Sequence, residues 1–159
     1  MEKTNNDKVE KLLWSIALPG FGQLLNGKFI KGLLLIALEI LINVQAKFNE
    51  AIIYSFQGEL QKAVEVTNYT WLMFYPCVYM FAIWDAFKDS GGGKEPYSFF
   101  PFVFGAYFLT VGLIYSSTLK IFGVFFGPVW LPMIFLGVGL GVGYIIRIFV
   151  LALTKKKEE

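Results

Sequence analysis

Histidine is missing from all 159 residues, and cysteine occurs once, as Cys77. The first absence removes the commonest general base and the commonest metal ligand. The second excludes an intramolecular disulfide, and no Cys-x-x-Cys pair exists for zinc. Charge is also scarce. Asp, Glu, Lys and Arg make up 16% of the chain and the net charge is +2, against about 25% charged residues in ordinary soluble domains. So small an excess gives no reason to expect a nucleic-acid partner. No catalytic set, metal site or cofactor site can be assembled from these residues, and the expectation is a protein that is not an enzyme and carries no cofactor.

Apolar residues are abundant instead. They make up 56% of the chain, 17 of its residues are Phe, and mean hydropathy is +0.58. A water-soluble domain this short leaves too much of its surface exposed to hide that much apolar material. The lipid bilayer is therefore the expected partner. Lys8 and Lys11 precede an apolar stretch, as in a signal peptide. Pro19, Gly20 and Gly22 interrupt that stretch and no small-residue cleavage site follows, so it reads as mature chain.

The expected fold class is all-α, a polytopic membrane bundle of about four spans plus a short broken or re-entrant N-terminal helix, forming one membrane domain over 1–159. Residues 1–10 read as a polar tail. Leu12–Leu25 is too short for a ~30 Å hydrocarbon core and is broken by Pro19-Gly20; Asn26-Gly27 then marks a turn. Phe29–Ala46 is long enough to cross. Within residues 47–69, a helix over about 50–67 repeats Ile52, Ile53, Phe56, Leu60, Ala63 and Val64 at helical spacing. It is read either as lying on the membrane surface or as packed on neighbouring protein. Thr70–Phe87 forms the next span, with Pro76 in its middle and Trp71 and Trp84 near its ends. A Gly- and Pro-bearing loop over 88–98 leads to a C-terminal helical pair within 99–153: Phe99–Tyr115, with Pro101 in its first turn, and Val129–Leu153. Ser116 to Gly127 between them is irregular and apolar, a stretch that dips into the outer side of the membrane.

Orientation follows from the basic residues, which favour cytoplasmic loops. With four crossings and the first segment re-entrant, the inside holds Lys3, Lys8, Lys11, Lys28, Lys31, Lys88, Lys94, Arg147, Lys155, Lys156 and Lys157. The outside holds only Lys47, Lys62 and Lys120. The expected location is a cell membrane, bacterial and plasma, crossed several times with both termini in the cytoplasm.

Four groups of residues stand out. Leu18-Pro19-Gly20-Phe21-Gly22-Gln23, then Asn26-Gly27 and Lys31-Gly32, is followed much later by Trp84-Asp85-Ala86. Gly20 and Gly22 allow close backbone approach. Gln23 and Asn26 can bond to chain that a broken helix leaves exposed at membrane depth. Asp85 is an acceptor for them, or a partner for Lys88 or Arg147. The plain reading is a structural clamp. Glu39 lies about ten residues into its span, ~15 Å deep, where a carboxylate is costly. With Asn43 one turn away, it reads either as a proton or cation site or as a neutral Glu bonded to other helices, its charge removed by a proton or a partner. Arg147 either snorkels to the cytoplasmic surface or pairs with Asp85. Gly137, Gly139, Gly141 and Gly143 form two small-xxx-small pairs, for packing within the chain or between copies of it.

Pro19, Gly20, Gly22, Gln23, Asn26, Gly27, Lys31, Gly32 and Asp85 together resemble the two-transmembrane-helix (TM-two) domain family and its prokaryotic relatives, over residues 11–89. The resemblance implies a membrane location and no defined chemistry. Two functions remain open: a non-enzymatic scaffold or accessory subunit that binds other membrane proteins or itself, and a small ion or solute transporter or channel subunit centred on Glu39.

Overall fold

In the computed structural model, residues 5–158 are described; Lys3 lies outside them, as do the side chains of Asn5 and of residues 155 onward, including Lys155, Lys156 and Lys157. The described chain is mostly helical. Among the described residues, two helices are long and apolar enough to cross a membrane.

The first helix, α1 (Asn5–Ala17), begins within the stretch expected to be a tail. Lys11 bonds Asp7 one turn earlier, at 2.8 Å, so this polar end has helical pairing of its own. Pro19 ends the helix, because the residue before a proline avoids the helical region. Gly20 then takes φ 103°, a left-handed value costly for residues with a Cβ. The chain reverses into α2 (Phe21–Leu25) and, after a turn at Gly27 (φ 73°), into α3 (Phe29–Ala46).

Lys47, at φ 54°, bends the chain sharply into α4 (Phe48–Phe56). A turn at Gly58 leads to α5 (Leu60–Val66). The single helix expected over 50–67 is therefore two, with glycine at the break. They are packed on protein: Ala51, Ser55 and Ala63 are buried, and Leu60 lies against Gly127. Next come α6 (Tyr69–Leu72) and α7 (Tyr75–Asp89). Pro76 is not at mid-span, as the sequence suggested, but in the first turn of α7, where its missing N–H costs no helical bond. Pro101 sits likewise in the first turn of α8 (Phe100–Tyr115).

The irregular stretch before the last helix holds a small antiparallel hairpin of β1 (Lys120–Ile121) and β2 (Val124–Phe125), in which Lys120 faces Phe125. Phe122 and Gly123 at its tip both have positive φ, the pattern of a two-residue hairpin turn. Helix α9 (Gly127–Glu158) completes the chain.

Contacts between sequence-distant residues set the directions. Lys31, early in α3, meets Asp85 and Asp89, late in α7. Phe87 stacks on Phe102, early in α8, and Trp84 packs against the same ring at a tilt. Arg147, late in α9, reaches Glu95 and Pro96, just before α8. Helices α3, α7, α8 and α9 therefore alternate in direction. One end carries these charges; the other carries α4, α5, α6 and the hairpin, over a small core of Ala46, Leu72 and Leu113. The outer surface is strongly apolar: Ile30 is 87% exposed, and Ile145 and Phe149 more than half.

Candidate functional site

The N-terminal hairpin is tied to α7 by a buried polar clamp. Glycine makes the approach possible. A Cβ on Gly22 would lie 2.7 Å from the carbonyl oxygen of Lys11 and from Cβ of Ala86; one on Gly20 would lie 2.5 Å from the carbonyl oxygen of Gly32. Gln23, fully buried, donates through Nε2 to the carbonyl of Ala82 at 2.8 Å and to Asp85 at 3.1 Å. Asn26 donates to the carbonyl of Ala86 at 2.8 Å. On the outer side, Lys31 bonds Asp85 at 2.7 Å and Asp89 at 3.3 Å.

The same contacts define the path of the hairpin. Lys11 on the way in and Asn26 on the way out both lie beside Ala86. Between them Ile16 lies farther along α7, where its carbonyl accepts a bond from the Tyr79 hydroxyl at 2.8 Å. The segment thus enters and leaves at the same end of the molecule and turns at Pro19-Gly20.

Asp85 does not meet Arg147. That guanidinium bonds Glu95 and, at 3.3 Å, the carbonyl of Pro96, because the α7–α8 loop lies against α9 at the level of Arg147. Lys31 takes the place beside Asp85 for which Arg147 and Lys88 were candidates. It is reached because the N-terminal turn delivers the first turn of α3 to the last turn of α7.

A second polar group lies deeper. Glu39 is 7% exposed. The Tyr75 hydroxyl lies beside its carboxylate, and its Oε2 has no hydrogen-bond partner among the described residues. Tyr75 stacks on Tyr79 at 5.3 Å with the rings 17° apart and touches Phe48 at 5.0 Å. Asn43, one turn from Glu39, does not bond it. Asn43 turns toward the bend after α3 and bonds Asn49 at 3.2 Å, while Glu39 faces α7. The neighbouring Tyr79 hydroxyl is committed to the carbonyl of Ile16. Beyond the tyrosines, an apolar cavity of about 280 Å³ lies between α4, α7, α8 and α9.

The four glycines of α9 divide into two faces. A Cβ on Gly139 would lie 2.6 Å from the carbonyl oxygen of Phe104, and one on Gly143 2.7 Å from that of Phe100. These two seat α8. Gly137 and Gly141 have open space around them and do not share that face, since alternate residues on a helix point about 200° apart.

Tyr75, Tyr79 and Asp89 were not singled out from the sequence. The i,i+4 spacings Tyr75/Tyr79 and Asp85/Asp89 were visible signals that each pair shares a helix face. No group of three or more metal-ligating residues occurs among the described residues. Protein-family models, curated proteins and solved structures yield no match to the chain.

Proposed function

We propose that the chain is a multi-pass integral membrane protein with a non-enzymatic role, a scaffold or accessory subunit for other membrane proteins. The observation that carries the membrane reading is the exposure of α9. Its apolar stretch Gly127–Thr154 is 28 residues long and only 11% of its hydrophobic window is buried. A core helix of a soluble protein is mostly buried, and a signal sequence lies near the N-terminus; α9 is neither. The corresponding figure for α3 is 28%.

In this reading α3, α7, α8 and α9 cross the bilayer. Helix α8 has 16 residues, ~24 Å, and α7 is lengthened by α6, from which only Met73 and Phe74 separate it. Lys28, Lys31, Lys88, Lys94 and Arg147 gather at one end and Lys47, Lys62 and Lys120 at the other, a bias that favours the first end as the cytoplasmic one. The α1–α2 hairpin is then re-entrant from that side, and both termini are cytoplasmic. The resemblance to the TM-two family belongs to the same reading, since the residues that carry it line the clamp between this hairpin and α7.

The test is labelling of single cysteines in intact cells on a Cys77→Ser background. Lys28→Cys, Gln61→Cys and Lys94→Cys use exposed positions that leave the clamp untouched. The expected result is labelling from outside at position 61 alone. Labelling at 28 and 94 but not at 61 reverses the assignment of the two ends, and labelling at both 28 and 61 removes α3 as a span.

The second reading is a proton- or cation-linked transporter, favoured by the unpartnered, buried Oε2 of Glu39. Glu39→Gln keeps the shape and removes the charge. Loss of a proteoliposome flux with unchanged thermal stability supports this reading; absence of any flux in the wild-type protein rejects it.

A further inference from the structure

A groove of about 660 Å³ runs along the outside of the molecule between α7 and α8. Cys77, Phe81 and Trp84 line it from α7, and Phe102, Ala106 and Thr110 from α8. The Thr110 hydroxyl is spent on the carbonyl of Ala106 at 2.8 Å, so the groove offers a ligand essentially apolar walls. Its length, from Phe102 to Thr110, is ~12 Å, close to one leaflet of a ~30 Å hydrocarbon core.

The mouth of the groove is different. Trp84 stands there against Phe99 and Phe102, at 6.4 and 5.3 Å. Lys88 follows Trp84 by one turn, on the same face of α7. Gly93 lies directly on the Trp84 ring, where a Cβ would come within 2.6 Å, and Lys94 is the next residue of the chain. Both lysines are exposed. Neither is in an ion pair among the described residues.

We propose that this groove binds one anionic phospholipid of the cytoplasmic leaflet, with an acyl chain along α7 and α8 and the phosphate between Lys88 and Lys94. The inference rests on the membrane reading above. Charge complementarity selects the occupant. An apolar channel one leaflet long, ending in an aromatic ring and two unpaired ammonium groups, matches the order of parts in such a lipid, and basic pockets at the cytoplasmic ends of helices bind anionic head groups.

The experiment is native mass spectrometry of the full chain, purified in mild detergent and offered equimolar phosphatidylglycerol and phosphatidylcholine. The expected result is one retained lipid per chain, predominantly phosphatidylglycerol. Lys88→Gln/Lys94→Gln reduces that preference roughly tenfold. Ala106→Trp, which fills the channel, abolishes retention of either lipid. The surface double variant keeps the test decisive if the tryptophan variant fails to fold. Equal retention of the two lipids, an unaltered preference in the double variant, or a second chain or foreign peptide retained in place of lipid overturns the proposal. The membrane reading is scored separately by alkaline carbonate extraction. A chain that stays with the membranes but shows no phosphatidylglycerol preference loses the groove alone, whereas a chain released by carbonate loses both.

Discussion

Lys31 and Asp85, 54 residues apart, meet at 2.7 Å. The pair closes the outer edge of the clamp whose buried side is Gln23, itself 3.1 Å from the other carboxylate oxygen of Asp85. One carboxylate thus joins α2, α3 and α7, from inside and from outside.

The two sides of that clamp are unequal in energy. Gln23→Leu deletes both buried donations and leaves the Ala82 carbonyl without its side-chain partner, a loss of about 1–3 kcal/mol. Lys31→Met removes the two ion pairs to Asp85 and Asp89 made by a half-exposed lysine, each worth at most about 1 kcal/mol. Thermal unfolding in detergent should rank Gln23→Leu below Lys31→Met. The reverse order would mean that the outer pair holds the hairpin.

Gly20 and Gly27 both have positive φ, but only Gly20 is crowded. Gly27→Ala meets nothing within 4 Å and should cost about 1–2 kcal/mol for its backbone alone. Gly20→Ala adds a collision with the carbonyl of Gly32 and should lower the melting temperature further. It should also increase proteolysis in α1–α2. Equal effects would show that the reversal relaxes without strain.

On α9 the expectation is an alternation. Gly139→Ala and Gly143→Ala push α8 away, at about 1–3 kcal/mol each for overpacking. Gly137→Ala and Gly141→Ala gain helix propensity of up to about 1 kcal/mol and should be neutral or stabilising in unfolding measurements. If the outer pair serves self-association instead, those two variants lower the yield of cross-linked dimer without lowering thermal stability.

Trp130 fastens α4–α5 to α9. Its Nε1 donates to the carbonyl of Ser55 at 3.2 Å, and its ring meets Phe56 at 4.7 Å. Trp130→Ala should raise hydrogen exchange across α4 and α5 while leaving the α8–α9 pair protected. A uniform rise would mean that the two units open together.

The helical class, the apolar exterior and the extents of α3 and α8 were legible in the sequence, because length, apolar content and proline position act through local chain geometry. Phe29–Ala46 is an uninterrupted apolar run between two turn signals, and Pro101 fits only the start of a helix. Pro76 obeys the same rule, yet unbroken hydropathy on both sides concealed the new helix that begins there. The split of α4 from α5 was missed for a similar reason: the apolar spacing continues through Gly58, while the backbone at φ 80° does not.

The partners of the polar residues belong to the tertiary structure. Gln23, Asn26 and Asp85 were identifiable as a group, but not that Lys31 rather than Arg147 would complete it; that depends on which helix ends the loops bring together. Spacing put Asn43 beside Glu39, and a bend at Lys47 gave Asn43 to Asn49 and left Glu39 to Tyr75. Sequence alone determined which segments are helical and apolar, since those properties are decided within a turn or two of chain. Long-range packing decided which side chains share a proton, a charge or a groove, since directional contacts of a few ångströms depend on elements far apart in the chain.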